Sequence, residues 1–361
     1  MKSAIIHDWI AASGGAENVL EEIYSCFPSS VYTLFCKKNC PFPTVYTSFL
    51  QKLPKITAWY RWMLPFFPLA VEQFDLRDYN LIISSSHCVA KGILTSPQQI
   101  HICYCHTPMR YIWDLSFFYL KNMNPVEKFF AKMFFSYLRS WDFISSNRVT
   151  HFVANSHFVA KRIKHYYRRD AKVIYPPVDT GPFSLKPKEN YYVVLSRLVP
   201  HKKVDVVVRA FKAMPEKKLI IIGEGPEMRK LQDMASGNIE FLGYISKEAV
   251  REYVGKALGL IHAAEEDFGI SIVEAMALGT PVLAFGKGGA LETVAATTTG
   301  LFFPSQSPES LIKTMKDFEK IDWDYQKIQN HAKIFDKKIF KTEFSKFVNQ
   351  CFTESANARK L

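Results

Sequence analysis

No stretch of this 361-residue chain reaches the roughly 20 consecutive apolar residues that a membrane-spanning helix needs. The longest greasy run, Ile56 to Ala70, is broken by Arg61, Pro65 and Pro68, so a transmembrane helix is not expected. At the amino terminus, "MKSAIIHDWI" meets His7 and Asp8 too soon to read as a signal peptide. The seven cysteines are odd in number and lack the paired C-x-x-C spacing of zinc or redox sites. Several lie in apolar runs, and reduced, buried thiols in a cytoplasmic protein are the expectation. No recognisable nucleic-acid-binding module is present either, so no nucleic acid partner is expected.

What is there is a chain that is 48% hydrophobic and 22% charged, long enough for two ordinary domains with full cores. Its formal net charge is +12. Residues 1–180 hold most of the excess, with 20 Lys and Arg against 12 Asp and Glu. Such a balance suits phosphorylated ligands or an anionic membrane surface.

Short apolar runs alternate with helical spacing from end to end. "SAIIHD", "NLIISSS", "HICYCH", "YYVVLSRL", "KKLIIIGEG", "LGLIHAA" and "TPVLAF" read as strands, and segments such as Ala16–Cys26, Val204–Met214 and Lys247–Ala257 read as helices between them. This alternation predicts βαβ units and parallel sheets. Pro176 to Asn190 concentrates Pro, Gly and Lys, and marks a domain boundary. The expected fold class is α/β, with two Rossmann-like, doubly wound domains at residues 1–180 and 190–335. Two such domains would face each other across a cleft at the carboxyl ends of their sheets.

The residue pattern most suggestive of a ligand is "EEDFGISIVEAMALG". Here Glu266 and Glu274 flank a Phe-Gly turn that opens a helix over Ile270–Leu278. Gly269, Ile270 and Ser271 can offer free backbone N–H groups to phosphate oxygens, and a carboxylate can take both hydroxyls of a vicinal diol. Arg197 and Lys202, in the turn after a strand, supply a guanidinium fork and a point charge suited to a diphosphate, although a solvated basic loop would read the same way. Gly14 and Gly15 precede a helix, where a missing Cβ lets a ligand approach the backbone. His106 follows a strand, as do His7 and Asp8, and Arg110 stands four residues before Asp114. The Arg110–Asp114 spacing fits an ordinary i,i+4 ion pair as well as it fits an acceptor contact. "DWD" at Asp322–Asp324 has the D-x-D pattern of a metal site but lies in a Lys-rich helical region, and no metal is expected.

These motifs, together with "IIGEGPE", "FLGYIS" and "VANSHFVAKRIKHYYRRDAKVIYPPVD", resemble the retaining GT-B glycosyltransferases of family 4 along nearly the whole chain. "IHDWIAASGGAENVLE" and "CYCHTPMRYIWDL" look more narrowly like the bacterial mannosyltransferase branch that builds O-antigen and related polysaccharides. The resemblance implies transfer of a hexose, mannose from GDP-mannose in this branch, to a glycan or lipid-linked saccharide, with no cofactor. A UDP-sugar donor, a nucleotide-sugar epimerase of the same fold and a non-catalytic sugar-nucleotide-binding protein are the alternatives. It implies Arg197 and Lys202 at the donor diphosphate, Glu274 at the ribose, and Glu266 at the transferred sugar within the Phe268, Gly269 and Ile270 loop. Gly243, Tyr244 and Ile245 would read the base through their backbone, and the Gly14–Gly15 loop would border donor and acceptor. His106 would stand at the reaction centre beside Glu266, and Arg110 near the acceptor. A carboxyl-terminal helix, residues 336–361, is expected to cross back onto the first domain.

The basic half also holds "NPVEKFFAKMFFSYLRSW", where Phe129, Lys132, Met133, Phe134 and Tyr137 fall on a helical stripe. Such a stripe suits an amphipathic helix resting in lipid headgroups, on the inner face of the cell membrane for an enzyme of lipid-linked glycans. The same aromatics would equally suit the interior of the first domain.

Overall fold

A computed structural model describes the chain except for residues 1, 12–13, 38–39, 122 and 359–361. It divides into two compact units, Met1–Pro177 with Phe340–Leu361, and Val178–Ile339.

The first unit is built on seven parallel strands, β1 (Ser3–His7), β2 (Ser30–Thr33), β3 (Val45–Thr47), β4 (Leu81–Ser86), β5 (Ile100–Cys105), β6 (His151–Ala154) and β7 (Ala171–Val173). They lie in the order β3-β2-β1-β4-β5-β6-β7. Every residue of β4 and β5 is buried, as a central strand covered on both faces requires. One face is packed by helix Gly15–Cys26, through Val19, Leu20 and Ile23, and by Phe340, Phe344 and Val348 of the long helix Lys337–Ala358. The other face buries Trp9, Phe35, Phe67 and Leu138 among others.

The second unit has six parallel strands, β8 (Glu189–Leu195), β9 (Lys218–Ile222), β10 (Ile239–Gly243), β11 (Ala257–His262), β12 (Val282–Phe285) and β13 (Gly300–Phe303). Their order is β10-β9-β8-β11-β12-β13. In both sheets the winding reverses direction once, between β1 and β4 in the first and between β8 and β11 in the second. Loops leaving the carboxyl ends of those paired strands diverge, which opens a crevice for ligands at that edge. All seven cysteines are free thiols.

The helix Pro125–Ser146 departs from an inward-facing arrangement. Asn124 and Glu127 close a capping box at its start, with Glu127 N–H donating to Asn124 Oδ1 at 2.9 Å and Asn124 N–H to Glu127 Oε2 at 3.1 Å. Its inner side is pinned by Asp142, which is fully buried and accepts from Lys91 Nζ at 2.5 Å, Trp113 Nε1 at 2.8 Å and Tyr167 Oη at 2.9 Å. Phe129, Phe130, Met133, Phe134 and Tyr137 face outward, Phe129 being 61% exposed. The stripe of aromatics therefore does not fill the core. No helix among the described residues is long and apolar enough to cross a membrane.

Candidate functional site

In the second unit the reversal between β8 and β11 gathers the basic turn and the first glutamate. Ser196 and Arg197 follow β8, and a 3-10 turn, Pro200–Lys202, then brings Lys202 back against the sheet edge. There Lys202 Nζ forms an ion pair with Glu266 Oε1, both side chains being less than one-fifth exposed. Lys202, Ser196, His262 and Ala263 line a small pocket at this edge. His262, the last residue of β11, is buried, and its Nε2 lies 3.8 Å from the same Glu266 Oε1. That Nε2 has no hydrogen-bond partner among the described residues. Burial holds the imidazole down to about 4, against the pull of the Glu266 carboxylate and with Lys202 adding to the lowering. It is therefore neutral at pH 7.

The loop that carries Glu266 is held by backbone. Glu266 O accepts from Gly289 N–H at 2.8 Å, and Glu266 bridges Gly288 in β fashion. Gly288 has φ +68°, and a Cβ there would fall 2.4 Å from Glu266 O, so glycine is required by both conformation and space. Gly269, φ +93°, turns the chain into helix Ile270–Ala277. The first N–H groups of that helix, Ile270 and Ser271, have no backbone acceptor among the described residues, as at any helix start. Phe268 is buried, its ring 5.4 Å from that of Phe335. It thus shapes the loop from within, and only its backbone is left for a ligand.

Glu274 is half-buried on the same helix and makes no hydrogen bond or ion pair among the described residues. Burial raises its carboxyl above the usual range, while Lys247 and Arg251 nearby oppose that rise and Asp179 adds to it. Lys247 opens the helix directly after the Gly243–Ile245 segment, so the segment and Glu274 share a neighbourhood. Gly243 (φ +67°) ends β10, and the side chain of Tyr244 is exposed. Arg197 is also exposed and has no ion pair among the described residues. Asp324 of the "DWD" stretch caps helix Tyr325–Ala332, its Oδ1 accepting from Lys327 N–H at 2.9 Å. Among the described residues no cluster of three or more His, Cys, Asp or Glu side chains is arranged to hold a metal.

In the first unit the reversal between β1 and β4 collects three histidines. Asp8 is fully buried and accepts four backbone N–H groups, from His87, Cys88, Val89 and Ala90, at 2.6 to 3.0 Å. This carboxylate anchors the turn after β4, which is a structural task. His7 Nδ1 lies 3.1 Å from both the carbonyl oxygen and the hydroxyl of Ser85, and Ser85 Oγ lies 2.8 Å from His106 Nε2. A carbonyl only accepts, so His7 Nδ1 carries a proton and donates. With the proton of a neutral His106 on Nδ1, the Ser85 hydroxyl donates to His106 Nε2; in the other tautomer Nε2–H donates to that hydroxyl. Burial, with His87 and His7 nearby, holds His106 well below its ordinary pKa. It is therefore a neutral N–H donor at the sheet edge.

Arg110 Nε donates to Asp114 Oδ2 at 3.2 Å, and the same carboxylate takes Arg162 Nη2 at 2.7 Å. Arg110 is thus tied into an ion-pair cluster within its own unit. Gly14 caps helix Gly15–Cys26 in extended backbone that any residue adopts, so the fold itself does not demand glycine there. Ser85, His87 and Gly288 escaped the sequence reading, and His262, read as standing apart from the site residues where relatives often have proline, in fact lies against Glu266. The only signal of the first three was adjacency to strand ends, which many residues share.

Residues 13–181 match the family described as Glycosyltransferase Family 4, and residues 180–335 match Glycosyl transferases group 1. The chain is built of two glycosyltransferase domains. Curated relatives of these domains include the O-antigen chain mannosyltransferase RfbU of Salmonella typhimurium, 28% identical over 44% of this chain and 47% of that protein. Another is the GDP-mannose-dependent alpha-(1-6)-phosphatidylinositol monomannoside mannosyltransferase of Mycolicibacterium smegmatis, 31% identical over 39% of this chain and 45% of that protein. The chain thus spans less than half the length of each. Among solved structures, HepE of Anabaena in complex with UDP and glucose superposes with a TM-score of 0.71 at 18% identity, covering 97% of this chain and all of that one. That likeness shows the fold, the two-domain GT-B architecture.

Proposed function

We propose that this chain is a retaining hexosyltransferase that moves mannose from GDP-mannose onto a growing, lipid-linked glycan. The observation that carries the reading is the Lys202–Glu266 pair at the β8–β11 reversal, set beside a Glu274 and helix-opening N–H groups that have no hydrogen-bond partner among the described residues. A departing nucleoside diphosphate develops negative charge, which Arg197, Lys202 and the N–H groups of Ile270 and Ser271 would stabilise without a metal. Glu274 would take the ribose hydroxyls and Glu266 a hydroxyl of the sugar, with Gly243, Tyr244 and Ile245 beside the base. His106 would offer its Nδ1–H to the sugar. In this reading the acceptor hydroxyl attacks from the leaving-group face and the departing phosphate takes its proton, so Glu266 is not a covalent nucleophile. A trapped glycosyl–Glu266 species after a donor soak would overturn that account.

The mannosyl donor draws support from mannosyltransferases among the relatives, two of them named above. Incubation with GDP-mannose or UDP-glucose and a panel of lipid-linked acceptors tests it. Mannosyl transfer from GDP-mannose is expected. Transfer from UDP-glucose alone would replace the donor, epimerised donor without transfer would make the chain an epimerase, and neither transfer nor hydrolysis would defeat the enzyme reading.

An anionic membrane is the proposed resting surface for the outward face of Pro125–Ser146. Phe129, Phe130, Met133 and Phe134 are exposed beside Lys132, and contiguous exposed apolar surface on this scale is seldom idle. Flotation with vesicles of phosphatidylglycerol at low salt should carry the protein upward. Retention in the soluble fraction would sink this part of the reading.

A further inference from the structure

The buried imidazole of His262 has no work in the protein as it stands. Its Nε2 is enclosed, lacks a partner among the described residues, and points into the small pocket that Lys202 lines. An enclosed polar nitrogen left unpaired is costly, so its retention calls for a state in which it is paired. The nearest candidate partner is Glu266 Oε1 at 3.8 Å, one short side-chain adjustment beyond hydrogen-bond reach. That oxygen is the one Lys202 Nζ now holds.

Two demands on Lys202 conflict if the proposed function holds. Its ammonium cannot face the Glu266 carboxylate and a diphosphate with full strength at once, because each anion draws the same few N–H donors along its own direction. Turning Lys202 toward phosphate weakens its hold on Glu266 Oε1, and a second donor reaching that oxygen would offset the loss.

We propose that His262 is the positioning residue for Glu266 in the loaded site: as Lys202 turns to the donor's diphosphate, the imidazole Nε2–H takes over Oε1 and holds the carboxylate toward the sugar. The inference rests on the proposed roles of Lys202 and Glu266. It adds a residue that neither the motif nor the family descriptions assign. A neutral imidazole suits the exchange, since its single Nε2–H replaces a cation without adding a charge that would compete for the phosphate.

Calorimetric titration with GDP, GDP-mannose and UDP-glucose tests it on wild type, His262→Ala and His262→Gln. Whichever sugar nucleotide the wild type binds should bind His262→Ala about 10-fold more weakly, the scale of one hydrogen bond to a charged group. The matching sugar-free nucleoside diphosphate should be weakened less than the sugar nucleotide, since its phosphates also draw Lys202 from Glu266 but no sugar requires the carboxylate to hold its place. His262→Gln, whose side-chain amide can donate from a similar position, should recover most of the loss. A wild-type measurement removes any dependence on how the variants fold. In 15N-histidine-labelled protein the His262 Nε2–H signal should move downfield on addition of the sugar nucleotide. Equal binding by His262→Ala and wild type, a glutamine variant as poor as alanine, or an unmoved Nε2–H signal overturns the inference and leaves the function standing. A wild type that binds neither sugar nucleotide overturns the functional reading and this inference with it.

Discussion

Glu266 and Lys202 come together at the carboxyl edge of the second sheet, and the pair ties two distant stretches of sequence to one oxygen atom. In the proposed function, Lys202→Ala removes a charge that would stabilise the leaving diphosphate. Turnover per encounter with donor, kcat/KM, should fall by about 10²-fold or more, as for other preorganised charge stabilisers. A steady-state assay of donor consumption at saturating acceptor checks this, and a change under three-fold contradicts the assigned role. Gly288→Ala acts on the same carboxylate indirectly. Its Cβ would meet Glu266 O at 2.4 Å in a left-handed conformation. The two strains together should cost about 2–4 kcal/mol, read by chemical denaturation, and should lower activity by moving the Glu266 backbone.

At the scale of the element, helix Pro125–Ser146 separates its two jobs by face. The start depends on the Asn124 cap, so Asn124→Ala should cost about 1 kcal/mol in a urea titration. Substituting Phe129 and Met133 together by Asp should abolish vesicle flotation yet change stability by less than that cap does, since both side chains are exposed. Elements like this show what the sequence discloses and what it hides. Buried parallel strands such as "LIISSS" and "HICYC" announce themselves as apolar runs, because both faces must be dry. β3, three residues at the sheet edge between Thr44 and Ser48, carries no such run and went unseen. Helical periodicity placed Phe129, Lys132, Met133, Phe134 and Tyr137 on one stripe, but a stripe has the same spacing whether it meets core or solvent. The decision came from Asp142 on the opposite side, whose buried bonds to Lys91, Trp113 and Tyr167 fix which face turns in. The Glu266 and Glu274 motif was legible because its chemistry is local. Ser85 was not, because its partners His7 and His106 lie far away in sequence, and the approach of His262 to Glu266 depends on how the loop between them folds.

Across the whole molecule, buried histidines set a common sensitivity to acid. Burial holds His7 and His262 down to about 4 and His101 to about 3. In an unfolded chain each would titrate near 6.5, so below that pH the unfolded state binds protons that the folded state refuses. Stability is therefore intact above the unfolded value and is lost as the pH falls toward 4, by at most about 1.4 kcal/mol per pH unit for each histidine. Urea unfolding at pH 7 and pH 5 should show the loss in both units, since His7 and His101 lie in the first and His262 in the second. A midpoint that stays constant between those values would contradict the burial argument.

The helix Lys337–Ala358 has a consequence for how the protein is made. Phe340, Phe344 and Val348 complete the apolar core around Ile5, Val31 and Ile102, yet the ribosome supplies them only after the entire second unit has been synthesised. The first sheet to emerge is thus the last to be closed. While the second unit folds from a continuous stretch of nascent chain, one face of the first waits with only the helix Gly15–Cys26 in place, and that interval is when chaperone capture or misassociation is most consequential.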